Sequence, residues 1–570
     1  MPNIRLTLWG VLAAILFLNY QTWLHDYEPP VSAPQTDAAP AVAPARLGDS
    51  VPEPTASAPA PQTSPQTATA PAAASTPAIA AAASGSDLSP PALLHVTTDV
   101  LDLWVNLKGG ELDRAELLQY PQRKDTPNIP VRLLSDAPPP TLYLLQSGLF
   151  GGTGEAAPTH QALWKSDETT FVLAPGAEEL RVPLTWTDGA GLSVTKTFVF
   201  KRGQYAVALD YEVKNDGASA RNLGSYARIL RHWEHASRSY FDVETYSFKG
   251  PAVYDGTKSK DLNVESDSDA KYSATITNGW FASLQHQFVA AVVPPAGQPY
   301  HYQVEVANNQ YLVTATGPMT AIAAGAKAQF HEQLFVGPKL QSQLAPLGRN
   351  LERTVDFGVL TVLAQPLFTG LNYIHKLVGN WGWSIIIVTA LIKLLFYPLS
   401  QASGRSMAKM RAVGPRMKQI QESFKDDREK LGRAMMELYK KEKINPLAGC
   451  LPTVVQIPVF ISFYRVLLES VEMRQAPFLL WINDLSSRDF FFVLPLLMGG
   501  AMFAQFKLNP PPADPMQAKI MQFMPLIMTG MMAWFPSGLV LYWLTNTVLS
   551  IAQQWRVNQV VEAEAAKQRS

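Results

Sequence analysis

One ionisable side chain sits where water is scarce. In the stretch IIIVTALIKLLFYPLS (385–400), Lys393 lies inside an apolar run from Trp381 to Leu399. A charge at the centre of a spanning helix costs roughly 2.5–3.5 kcal/mol on insertion scales. At about 1.5 Å per residue, Lys393 falls about 18 Å from the Trp381 end, in the inner half of a bilayer. Two readings follow. The four methylenes of lysine can lift the ammonium to the headgroups, or a cavity open to cytoplasmic water keeps it hydrated, ready for a negatively charged visitor. Gln456, Gln505 and the triplet Thr545, Asn546, Thr547 fall in other apolar runs. Polar groups in hydrocarbon need partners or water. Interhelical hydrogen bonding accounts for each singly; together with Lys393 they favour a wet interior face. Met521, Met524, Met528 and Met531 follow a 3-4-3 spacing. Core packing explains such a stripe, and so does contact with many different apolar sequences, because the thioether reshapes cheaply.

This chemistry is binding rather than bond-making. No nucleotide loop, zinc signature or hydrolase elbow occurs, so no enzymatic activity and no cofactor or metal is expected. Cys450 is the single cysteine; it cannot form an intramolecular disulfide and reads as a small hydrophobe. His232, His235, His286 and His301 are scattered and read as structural or surface residues. A net charge of +0 with 16% charged residues does not mark a nucleic-acid binder.

The elements that must position Lys393 are five apolar runs: 381–399, 447–470, 490–507, 518–535 and 539–555. Only PSG (536–538) separates the last two, so they are expected to be antiparallel neighbours. An earlier apolar stretch, 4–24, is long enough to cross a hydrocarbon core of roughly 30 Å. Arg5 before it and Asp26 and Glu28 after it put the N-terminus inside. An uncleaved anchor over 1–28 is expected, with a cleaved signal peptide as the rival reading. The segment 400–446 holds 12 Lys or Arg against 6 acidic residues and is therefore expected in the cytoplasm. Six spans then leave both tails, 558–570 included, inside. Within 400–446, Met410, Val413, Met417, Ile420 and Phe424, then Leu431, Met435 and Leu438, step by three and four. That spacing predicts a two-helix cytoplasmic hairpin, its first arm interrupted near Pro415. A cationic hairpin suits anionic lipid, ribosomal RNA or an acidic protein, or it simply stays solvated.

Between anchor and spans the composition changes twice. Residues 29–92 are rich in Ala, Pro, Ser, Thr and Gln and are expected to be a disordered tether. Residues 93–350 carry strand-like alternation, clearest at Tyr205, Val207, Leu209, Tyr211 and Val213. VTKTFVF before KRGQ predicts a hairpin, and VAAVV and QYLVTAT predict further strands. This is expected to be a mostly β domain outside the cytoplasm. Over 351–380, Leu360, Leu363, Leu367, Leu371, Ile374 and Val378 form one stripe, and Thr361, Gln365, Thr369, Asn372 and Lys376 the other. An amphipathic helix before a span suits the bilayer surface or packs on the β domain.

YPLS (397–400), SMAKM (406–410), NPLAGCLPTVVQIPVF (445–460), RQAPFLLWINDLS (474–486), DPMQAKIMQFMP (514–525) and FPSGLVLYWLTN (535–546) closely resemble the Oxa/Alb/YidC family of membrane protein insertases, in its Gram-negative form. The resemblance covers all five C-terminal runs in order. It implies a β-supersandwich near 93–345 and a five-helix core over 381–557. It also implies a hydrophilic groove open to cytoplasm and lipid. A basic groove residue would receive the polar part of a newly made inner-membrane protein, alone or beside the Sec translocon. The apolar part would slide along the third and fifth spans. The family's usual groove residue is Arg; this chain has Lys393 there, which keeps the charge but loses the bidentate fork. Trp543 and Gln456 match an aromatic near the groove and the glutamine of the third span. Implied partners are nascent membrane proteins, the Sec translocon and its accessory subunits, the ribosome through the basic hairpin, and membrane lipids. Residues alone leave open a small-anion transporter, though no internal repeat supports it. They also leave open a membrane-anchored periplasmic binding protein.

Overall fold

The computed structural model describes residues 47–52, 93–152, 154–235, 247–424, 427–442, 451–508 and 515–567. The expected anchor 1–28, most of the tether and Cys450 lie outside the described residues.

From Leu93 to Pro338 the chain is built of strands in two sheets. The larger runs in the order Ser273–Thr277, Pro299–Ala307, Gln310–Thr316, Arg221–His232, Tyr143–Gly151, Glu111–Arg123, Leu101–Asn106, Leu93–Thr97, Thr170–Val172. Thr320–Ile322 adds to Arg221–His232, and Thr126–Leu134 to Glu111–Arg123. The smaller runs Ser259–Asp261, Gly250–Tyr254, Trp280–Leu284, Phe288–Val293, Lys327–Pro338, Ala206–Asn215, Leu192–Lys201, Glu179–Thr187. The expected hairpin pairs Leu192–Lys201 with Ala206–Asn215 in antiparallel register. Its turn uses Gly203 at φ 70°, a conformation that costs glycine little. Tyr205, Val207, Leu209, Tyr211 and Val213 are all buried in the core, as a period of two requires when one face meets another sheet. Lys196 is also fully buried there. Its ammonium donates to the carbonyls of Gly109 (3.3 Å), Gly110 (2.6 Å) and Ser147 (3.0 Å), so all three of its protons are used.

One part of the expected tether is not free. Leu47–Asp49 form a 3-10 turn seated on the larger sheet. The Arg228 guanidinium donates to the carbonyls of Ser50 (2.5 Å) and Gly48. A Cβ on Gly48 would lie 2.8 Å from Leu230 Cδ2, so a small residue is needed at this approach. Composition describes the average of the segment and misses a short stretch that a buried cation holds.

The C-terminal region is helical. Helix α1 (Thr361–Val378) ends at Gly379 in the left-handed conformation, φ 71°. Its packed face is Ala364, Phe368 and Leu371, with Leu367 and Ile374 partly covered. Leu363 and Val378 of the expected stripe are exposed, as are Val362, Tyr373 and Leu377. The face has rotated because small Ala364 lets neighbouring helices approach. Those neighbours are α2 (Trp381–Leu395) and α6 (Leu451–Glu469). Helix α2 starts at Asn380, whose side chain accepts from the Trp383 amide at 3.1 Å. It bends by 63° into α3 (Tyr397–Ala412). The run 381–399 is thus a broken helix, with Pro398 in the first turn after the break, where its missing N–H costs nothing.

Helices α4 (Gly414–Ser423) and α5 (Arg428–Lys441) form the hairpin over a small core of Val413, Met417, Met435 and Leu438. The break between α3 and α4 falls at Val413, with Pro415 in the first turn of α4. Arg416 and Glu442 pair across the hairpin at 2.6 Å.

Helices α7 (Val493–Leu508), α8 (Pro515–Met532) and α9 (Ser537–Lys567) complete the region. Helix α7 packs on both α8 and α9, and α9 also packs on α2, α3 and α6. The expected α8–α9 neighbour pair is therefore corrected: α8 packs on α7 and not along α9. A short turn fixes the ends of two helices close together, not their axes. The two helices approach closely at Gly499, where a Cβ would meet Thr529 Oγ1 at 2.1 Å. No single described helix is long and apolar enough to cross a membrane. The bent pair Trp381–Leu395 and Tyr397–Ser406 passes that test together.

Candidate functional site

Three sequence-selected residues meet in one recess. It is lined by Thr389, Ile392, Lys393, Phe396, Leu399, Ser400, Val455, Gln456, Val459, Tyr542 and Asn546. Lys393, on the last turn of α2, donates to Ser550 Oγ at 2.6 Å. Ser550 Oγ donates in turn to the Asn546 carbonyl, one turn back on α9, at 2.7 Å. The Gln456 amide, from α6, donates to Asn546 Oδ1. Three helices thus present an ammonium, two amides and a hydroxyl to one another. None of the residues lining the recess is acidic. The 63° bend at Phe396 turns Leu399 and Ser400 around the opening. The cavity measures ≈ 30 Å³, room for a water or two.

The other candidates lie elsewhere. Gln505 is half-buried on α7 and does not line the recess. Trp543 packs edge-on against Phe460, with ring centroids 4.6 Å apart, outside the lining. On α8 the packed face is centred on Pro525 and Met532, with Met528 beside it. Met521 is half-buried, and Met524 and Met531 are exposed, so the methionine stripe flanks the packed face and does not fill it. Sequence reasoning did not select Thr389, Ser400 or Ser550. Thr389 precedes Lys393 by four residues and Ser550 follows Asn546 by four, a helical spacing that could have found both.

The far ends of the same helices are closed. Asn380 Nδ2 donates to the carbonyls of Pro477 and Phe478, each at 3.3 Å. Ser537 Oγ bonds the carbonyls of Asp484 (2.7 Å) and Ser487 (2.6 Å). The loop 470–492 thereby ties the starts of α2 and α9 to the end of α6. A Cβ on Gly382 would fall 2.0 Å from Phe478 Cδ2, so the contact there admits only glycine.

This end also carries the β domain. Arg474 donates to the carbonyls of Pro121 and Gln122, both at 3.1 Å, and to Gln287 Oε1 at 3.3 Å. The Lys124 ammonium donates to the Asn483 and Gln475 carbonyls. Ser247 Oγ donates to Glu469 at 2.8 Å. Burial holds the His286 imidazole below its ordinary pKa. The neutral ring then donates Nε2–H to the Leu468 carbonyl, 2.8 Å away. Burial pushes the Glu472 carboxyl up to about 7.

Residues 93–370 match the family described as the YidC periplasmic domain, and residues 373–564 the family described as the 60Kd inner membrane protein. The membrane protein insertase YidC of Thioalkalivibrio sulfidiphilus is 44% identical over 589 residues, covering 100% of both chains. That of Pseudomonas putida is 43% identical, covering 99% of both. A crystal structure of an active YidC insertase, with its first transmembrane domain resolved, is 16% identical with a TM-score of 0.36. It covers 82% of this chain and 94% of its own. With full-length relatives at this identity and both halves matched in order, the chain belongs to the YidC family of membrane protein insertases.

Proposed function

We infer that the chain inserts and folds newly made inner-membrane proteins, with the Lys393 recess as the receiving site for their polar segments. One observation carries the reading. Lys393 is hydrogen-bonded to Ser550 at 2.6 Å beside the Gln456–Asn546 pair, in a recess between helices whose outward side chains are apolar. A visiting carboxylate would replace Ser550 as the partner of Lys393, and backbone amides or hydroxyls would replace the Gln456–Asn546 pairing. At ≈ 30 Å³ the recess must widen to take a chain. The arm beyond the bend at Phe396 is the element placed to swing.

The apolar part of the client would leave along α6 and α8. Val454, Ile457 and Ile461 on α6 are exposed, as are Ile520, Phe523, Met524, Leu526, Ile527 and Met531 on α8. Gln505, Trp543, Met521 and Met528 border this route. The process is passive: each buried CH₂ contributes about 0.8 kcal/mol, so a full span offsets transfer of a short hydrophilic tail. The membrane potential assists acidic tails outward by about 2.3 kcal/mol per charge per 100 mV.

In this reading the chain is a six-span protein of the Gram-negative inner membrane. Residues 1–28 anchor it, the β domain is a periplasmic supersandwich, 351–380 lies at the interface, and both termini are cytoplasmic. The hairpin within 400–446 meets the ribosome or anionic lipid, and the Sec translocon docks beside the core. Site-specific crosslinking from positions 393, 456, 524 and 543 to a stalled nascent membrane protein tests the site. Adducts at 393 and 456 with the polar segment, and at 524 with the apolar one, are expected. Adducts at none of these would remove the recess from the mechanism. Deleting roughly 100–320 should leave insertion standing.

A further inference from the structure

The loop before α7 has two faces. Asp489, which is buried, collects its polar groups: Oδ1 accepts from Trp481 Nε1 and the Phe491 amide, each at 3.1 Å, and Oδ2 from the Leu494 amide at 2.7 Å. Asp484 Oδ1 likewise accepts from the Gln475 and Ser486 amides. With these groups satisfied inward, the loop turns out Leu480 (83% exposed), Phe490 (77%) and Phe491 (61%). Leu480 and Phe492 hold left-handed backbone at φ 54° and 57°. For a bulky residue that conformation is strained. A strained backbone that displays large apolar side chains to water would be doubly unfavourable.

The length of α7 says what covers them. Its 16 residues span about 24 Å, short of a hydrocarbon core of roughly 30 Å. Lys507, exposed at its far end, marks the inner interface, so the outer boundary of the acyl region falls beyond Val493, at Phe490 and Phe491. Leu496 and Leu497, one turn into α7, are exposed and continue the same apolar surface. Asn483, Ser487 and Arg488 are exposed in the same loop and supply its polar side.

We propose that Leu480, Phe490 and Phe491 form a wedge seated in the outer leaflet at the acyl–headgroup boundary, which makes up the shortfall of α7 and anchors the closed end of the helical region. This rests on the reading of α7 as a span. Aromatic side chains are enriched at that depth, and apolar faces that lie in the interface bury about 5–10 Å into the headgroup–acyl boundary.

The test uses the full chain with Cys450→Ser, reconstituted in phosphatidylethanolamine–phosphatidylglycerol vesicles. Nitroxides are placed at Phe490→Cys, Phe491→Cys and Leu480→Cys, with Leu497→Cys and Asn483→Cys as references. Collision rates are measured with oxygen, which enters acyl chains, and with a water-soluble nickel chelate. At 490, 491 and 480 oxygen should exceed nickel by about threefold or more, approaching 497, while 483 shows the reverse. If 497 is acyl-exposed but 490 and 491 behave like 483, the wedge is wrong and the span stands. If 497 is also water-exposed, the spanning reading of α7 fails and takes the wedge with it.

Discussion

Helices α2, α6 and α9 each have a closed end and a yielding one. At the closed end, side chains bond to backbone carbonyls: Asn380 to 477 and 478, Ser537 to 484 and 487, Arg474 to 121 and 122. Backbone carbonyls are fixed by the fold, so these bonds cannot be traded for a visitor's without unfolding the loop. Several turns along the same helices, the recess bonds run mostly between side chains: Lys393 to Ser550 and Gln456 to Asn546. Side-chain partners rotate away at the cost of a rotamer, which is what the proposed exchange with a client requires. The proposed groove, admitting from one side only, would need this contrast.

The largest break comes from removing the cation. A hydrogen bond to a charged group is worth roughly 1.5–3 kcal/mol. Lys393→Ala should therefore slow insertion of an acidic-tailed client by about tenfold or more, whereas Lys393→Arg should retain it, read by protease protection of the client in proteoliposomes. Equal activity of both variants on every client would end the role of the recess.

Breaking the closed end is the next test. Gly382→Ala drives a methyl into Phe478 and should cost about 1–3 kcal/mol by overpacking. The expected readouts are a lower Tm and new protease cleavage within 477–489. Insertion should fall less than in Lys393→Ala.

The closed end also has a pH signature. With its folded pKa raised to about 7 from 4.5, the Glu472 carboxyl keeps its proton in the folded state where the unfolded chain has lost it. Stability at this seam therefore falls as pH rises from 4.5 to 7. Glu472→Gln should gain up to about 3 kcal/mol over the parent at pH 8 and nothing at pH 4, measured as the difference in unfolding midpoint at the two pH values. A constant difference would place Glu472 in water.

The smallest effect is expected on α8. Met524→Leu conserves volume and should change stability by less than about 1.5 kcal/mol, with insertion of most clients unaltered. A large loss for one client class would sharpen Met524 into a selective contact.

Much of this was legible beforehand. The alternation from Tyr205 to Val213 and the KRGQ turn specified a hairpin because strand periodicity is local. The three-four steps through Met417 and Met435 specified the helical hairpin for the same reason. Lys393, Gln456 and Asn546 could be selected as polar groups in apolar runs, and the structure brings these three together. Gln505 satisfied the same criterion and lies elsewhere, since polarity in an apolar helix does not say which way the side chain faces; Trp543, which rested on the family resemblance alone, also lies outside the lining. The docked turn at Leu47–Asp49 was hidden because its partner, Arg228, lies 180 residues away from Gly48.

By itself the sequence determined what periodicity and composition encode: a β region, a run of apolar helices, a basic hairpin and a stranded lysine. Those are local quantities, set by which side chains follow which. The tertiary structure alone decided that α2 breaks after Lys393 and that α8 packs on α7 instead of along α9. It also decided that the loop 470–492 locks one end of the helices while Ser550 takes up the ammonium at the other. Each depends on the close approach of residues distant in the chain, at Gly382, Gly499 and Asn546, where steric fit and hydrogen-bond geometry choose among packings that the same pattern of apolar residues would allow.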